Sequence, residues 1–174
     1  VMKRLPGREL GMTHSASSTL AQDRGSKLML LKASLEVLGI PARIAVVHTF
    51  TVDQTPYLFP NESLLTYSCL RVEVPGGEPV WLDTSVRFGP FGELPEHARG
   101  ERDAYLLPEP GRPLQKVKTP PRVEKSDKQV QLWLEVTPDG KLLGRGEEVY
   151  SGFKGAQLAE SFNVLSAESR KQAL

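Results

Sequence analysis

Leucines recur at helical spacing over residues 26–38. Leu28, Leu31, Leu35 and Leu38 share one face, Leu30 and Val37 widen it, and only Lys27, Lys32, Ser34 and Glu36 are plainly polar. The pattern predicts a helix that is mostly buried. Gly39 stands just past its end, and Pro41 bars continuation. The run "ARIAVV" over 42–47 is apolar and partly β-branched, which predicts a central strand. In "YSCLRVEV", over 67–74, Leu70, Val72 and Val74 point one way and Tyr67, Cys69, Arg71 and Glu73 the other. "PGGEP" then turns the chain, and "VWLD" at 80–83 returns as an antiparallel partner.

The remaining segments carry weaker periodicity. Residues 1–19 are polar and read as irregular, and 50–64 read as a loop broken by Pro and Asn. Residues 84–122 are rich in Pro and Gly. Phe88, Phe91, Leu94 and Tyr105 among them call for burial, which predicts long ordered loops laid on a sheet. Past Lys125 the composition shifts. Val130, Leu132, Leu134 and Val136 alternate, "PDG" turns, and residues 142–150 return, a hairpin. From Gly155 a single helix is predicted, with Leu158, Phe162 and Leu165 on one face. A lone hairpin with a helix is a weak unit. It is expected to pack on the first part or to belong to a larger sandwich.

Composition narrows the function classes. The 174 residues are 39% hydrophobic and 25% charged, a globular balance. Lys plus Arg is 22 against 21 for Asp plus Glu, a net charge of +1, which gives no footprint for nucleic acid. No run is long enough to span a membrane. The single cysteine, Cys69, rules out an internal disulfide. The opening "VMKRLPGREL" has no signal-peptide pattern and reads as the middle of a longer protein.

Taken in order, "QDRGSK", "LMLLKASLEVL", "GIPARIAVV", "YSCLRVEVPGG" and "VWLDTS" resemble the core of the transglutaminase-like domain, a papain-like cysteine-enzyme fold. The family reads roughly G-D-C-K-D-K, a leucine-rich helix, G-I-P-A-R with a strand, an H-A-x-V-x-V strand and a W-L-D-P-T turn. The tail "RFGPFGELPEHARGERDAYLL" resembles the segment after the Asp in bacterial multidomain members. The resemblance implies an α+β fold: a papain-like transglutaminase core, a buried helix packed on an antiparallel sheet, plus a C-terminal β-hairpin and helix. It implies a core over 1–122 and the start of a β-rich module over 123–174. It further implies an exported parent, periplasmic or in the cell envelope, with the cytoplasm as the alternative.

The family's chemistry uses a Cys at a helix N-terminus, a His that moves the proton and an Asp that orients the His. The matching positions here are Arg24, Tyr67 and Asp83, so only the Asp is kept. A guanidinium stays protonated and attacks nothing. A tyrosine with an ordinary pKa of about 10 is no base near neutrality. A Tyr67–Asp83 hydrogen bond is expected in place of the His–Asp pair. Arg24 reads either as a solvent-facing replacement or as an anion-binding group at the helix start, with Ser26 beside it. Cys69 reads as a small buried hydrophobe, or as a displaced nucleophile. His48 reads as a strand-edge residue, while His14 and His97 fall in polar and Pro/Gly-rich segments, a scatter that argues against a metal site. "GRGEE" and "PGG" read as turns, and "KVKTPPRVEKSDK" as a solvated connection.

The expectation is a catalytically inactive transglutaminase-like domain without metal or cofactor. It would bind a peptide or protein segment, or act as a scaffold, through a cleft at Arg24, Ser26, Tyr67, Cys69 and Asp83. Two rivals stand beside it: an acyl-transfer or hydrolytic enzyme with a non-standard nucleophile such as Cys69, and a purely structural spacer.

Overall fold

The computed structural model of the chain describes residues 15–22, 25–49, 65–121 and 128–172. The fold is α+β, with an antiparallel sheet and a few helices. It divides into two compact units, Val1–Arg87 with Phe91–Val123, and Phe88–Pro90 with Glu124–Leu174.

In the first unit, helix α1 (Ala16–Gln22) precedes helix α2 (Lys27–Val37). The first of these begins inside the stretch, 1–19, whose polarity predicted irregular chain. Its cue is local: the Ser15 hydroxyl accepts from the Ser18 amide at 3.2 Å, a serine cap at the helix start. Ser26 caps α2 in the same way, accepting from the Met29 amide at 3.2 Å. At the other end the Ile40 amide donates to the Leu35 carbonyl (2.9 Å) and the Gly39 amide to Glu36 (3.0 Å), with Gly39 at φ 71°. That double closure needs a left-handed residue, which glycine supplies without a Cβ penalty.

Strand β1 (Ala42–His48) pairs antiparallel with β2 (Leu65–Val72) on one side and with β4 (Asp103–Leu106) on the other. With β3 (Val80–Leu82) and β5 (Gln115–Lys118) the order is β3-β2-β1-β4-β5. The central place of β1 explains its unbroken apolar run: its residues are buried on both faces as far as Val47. One face carries Ala45, Val47, Tyr67, Cys69, Trp81 and Leu106, closed over by Leu94 and Ala98. On the opposite face Leu28 of α2 packs with Ile44 and Leu70, flanked by Met29, Leu31 and Leu35.

Several expectations are corrected here. The helix is one-sided rather than mostly buried: Val37 is 88% and Leu38 71% exposed, because only one stripe of α2 meets the sheet. Residues 84–122 hold two strands, β4 and β5, and a 3-10 turn at Glu96–Ala98, so "KVK" is a strand rather than a connection. Those strands are short and flanked by Pro and Gly, and pairing with β1 decided them where propensity did not. Leu94 is buried, but Phe88 and Phe91 are exposed.

The second unit holds the hairpin β6 (Lys128–Val136) and β7 (Leu142–Tyr150), in register from Lys128↔Tyr150 to Val136↔Leu142. Gly140, at φ 80°, closes the turn. "GRGEE" lies inside β7 and is no turn. Its Gly144 and Gly146 sit under Leu134 and Leu132, whose methyls occupy the space a Cβ would need, at 2.7 and 2.8 Å. The C-terminal helix is two, α3 (Gly152–Val164) and α4 (Ala167–Gln172), broken at Leu165, which turns to extended backbone.

Candidate functional site

The pairing of β2 with β3 builds the site. Leu70 faces Leu82 and Arg71 faces Trp81, so one step further along the register Cys69 stands opposite Asp83. Tyr67 is two residues back on the same face, a diagonal neighbour within reach of a long side chain. The Tyr67 hydroxyl donates to Asp83 Oδ1.

Asp83 accepts more than that one hydrogen bond. The Ser85 amide donates to Oδ1 at 3.0 Å, and the Ser85 hydroxyl and the Val86 amide donate to Oδ2 at 2.8 and 3.3 Å. With Tyr67 these fill the lone-pair positions a carboxylate offers. Asp83 is a turn anchor and a fixed acceptor.

The electrostatics follow from burial. Loss of water pushes the Tyr67 hydroxyl well above the ordinary tyrosine value, and the Asp83 charge pushes it the same way. The Cys69 thiol is fully buried, and burial first, then Asp83, raises it far beyond the range of a reactive thiolate. Among the described residues no hydrogen bond joins Cys69 to a base. The cluster holds neutral donors against one saturated anion.

His97 completes the group. Its ring meets Tyr67 edge to face, with centroids 5.2 Å apart and planes at 89°. It stands in the 3-10 turn Glu96–Ala98, carried back over the sheet between Leu94 and Ala98, both buried. Nothing in the local sequence signals this, since the approach depends on where a Pro/Gly-rich segment folds.

Comparison with known proteins finds no match among family models, curated proteins or solved structures.

The expected site residues therefore separate. Tyr67, Cys69 and Asp83 come together, joined by Ser85 and His97. Ser26 does not join them: its hydroxyl is used as the α2 cap, and α2 packs on the face opposite Tyr67 and Cys69. Arg24, His14 and the 50–64 segment lie outside the described residues. His48 closes β1 at a shift in register. Among the described residues no group of His, Cys, Asp and Glu is placed to hold a metal ion, and no helix is long and apolar enough to cross a membrane.

Proposed function

We propose that this chain is a non-catalytic domain of transglutaminase-like descent that binds a peptide or protein segment and so acts as a scaffold within a larger bacterial envelope protein. The observation that carries the non-catalytic part is the Tyr67–Asp83 bond. Where the family's chemistry needs a base that accepts a proton, this chain has a buried hydroxyl that keeps its proton and donates a hydrogen bond to Asp83. Cys69, the remaining thiol, is neutral and sealed.

Descent is supported by order: a serine-capped helix, a Schellman stop at Gly39, then three antiparallel strands with Tyr67 on the second and Asp83 directly after the third. The chain departs from that pattern at α2, which covers the face away from Tyr67. This departure also weighs against the family's chemistry, because a helix packed on that face does not turn its dipole on the Tyr67–Asp83 group.

The test monitors ammonia released from a glutaminyl peptide in the presence of a primary amine. The native protein and Cys69→Ser are expected to give the same background rate. Turnover in the native protein that is lost in Cys69→Ser overturns the non-catalytic reading.

A further inference from the structure

A second feature lies on the same sheet face as Tyr67, four residues along β1 and so roughly 13 Å away. Here the start of β1 meets the turn joining β4 to β5. A pocket of about 410 Å³ opens there, lined by Arg43, Glu73, Gly111, Arg112, Leu114 and Gln115. Its volume is in the range of small-ligand sites.

Arg43 is the unusual member. It is only 5% exposed, and a buried guanidinium cannot shed its charge. Buried cations ordinarily meet a carboxylate. Arg43 meets none among the described residues. Nη2 donates to the carbonyls of Leu106 (3.3 Å), Leu107 (2.8 Å) and Pro113 (2.7 Å). Nη1 reaches Gln115 Oε1 only at 3.4 Å, and Nε has no partner among the described residues. These acceptors are neutral dipoles, so no carboxylate among the described residues bonds the charge directly.

The neighbouring charges do not fill the gap. Glu73 is paired with Arg71, and Glu109, before the turn, is drawn to Lys32 at 3.0 Å. Among the described residues the Arg112 side chain meets no carboxylate either. Gly111, at φ 74° with nothing within 4 Å of where a Cβ would be, leaves the rim open. Leu114 adds an exposed apolar wall.

We propose that this pocket binds a carboxylate carried on an apolar body, of the kind the C-terminus of a peptide presents. The carboxylate meets the Arg43 Nη1 edge and the Arg112 guanidinium, which supply charge-assisted hydrogen bonds from a partly desolvated wall. The apolar body rests on Leu114 and Pro113. The site does not depend on transglutaminase-like descent.

The experiment titrates the full chain with N-acetyl-Ala-Leu, its C-terminal amide and N-acetyl-Glu-amide, monitored through backbone amide resonances. The free acid is expected to give saturable shifts at Arg112, Leu114 and Gln115, with millimolar affinity. The amide is expected to bind at least about tenfold more weakly. Arg112→Gln, at an exposed turn, is expected to weaken the free acid about fivefold or more with resonances elsewhere unmoved, and about 0.5 M salt is expected to weaken it severalfold relative to about 0.05 M. Any of three results overturns the proposal: no saturable shift up to about 50 mM, far past the millimolar range; equal binding of acid and amide; or binding of the glutamyl amide alone.

Discussion

Tyr67 and Cys69 show how burial turns reactive side chains into packing. Both hold their protons more tightly in the folded chain than in the unfolded one. A raised folded value means the stabilisation is complete below the unfolded value and is lost as pH rises. Above the ordinary values, 9.0 for the thiol and 10.0 for the phenol, the unfolded chain releases protons that the folded chain keeps. Stability is therefore expected to fall by about 1.4 kcal/mol per pH unit for each group. Urea unfolding between pH 8 and about 11 reads this slope, and Tyr67→Phe removes one group's share of it above the phenol's ordinary value. At neutral pH the same substitution is expected to cost about 1 kcal/mol, because Asp83 keeps its three donors from Ser85 and Val86. A loss above about 3 kcal/mol would show that the Tyr67 bond holds more than one strand pair. The Tyr67–Asp83 pair was expected only from the resemblance, which sets the two residues at the family's His and Asp positions; alternation along 67–74 by itself placed Tyr67 and Cys69 on one face but said nothing of Asp83. His97 was not legible, because a contact 30 residues away through a Pro/Gly segment leaves no periodic trace.

At the scale of elements, the corner between α1 and α2 is the sharpest constraint. Gly25 has φ 139°, and a Cβ there would stand 2.4 Å from Thr19 Oγ1 and 3.3 Å from its Cα. Gly39 also has positive φ but open space around it. Gly25→Ala is expected to cost about 2–4 kcal/mol, combining strain with a clash against a buried threonine, and Gly39→Ala about 1 kcal/mol from strain alone. Ser26→Ala, which removes the α2 cap, is expected to cost about 1 kcal/mol. Equilibrium urea unfolding ranks the three, and equal costs for the two glycines would mean the Thr19 contact relaxes freely. The helix and its stop were legible because caps and Gly-Pro signals act over four or five residues. Strands β4 and β5 were not, because four-residue strands beside Pro and Gly take their conformation from the partner strand.

At the scale of the whole molecule, the second unit leaves apolar area in water. Val130, Leu132, Leu134 and Val136 share one face of the hairpin with Leu142, and all are exposed, Leu132 by 65%. Alternation predicted this face correctly, but not that the described residues leave it uncovered. Such a face is expected to bind a hydrophobic dye in the native state. Leu132→Lys with Leu134→Lys in one chain is expected to lower native ANS fluorescence by more than about half without moving the unfolding transition of the first unit. Unchanged fluorescence would mean that the dye has no access to that face.

The sequence by itself determined what is local: the α2 helix with its glycine stop, the antiparallel return of β3 on β2 and the "PDG" hairpin. These rest on periodicity, caps and turns, which act between near neighbours in the chain. Tertiary structure alone decided the rest. It chose which sheet face α2 covers, brought His97 to Tyr67, saturated Asp83, and left Arg43 buried beside an open pocket with no carboxylate partner among the described residues. Each of these sums interactions between residues far apart in sequence, where burial and dielectric set the energy.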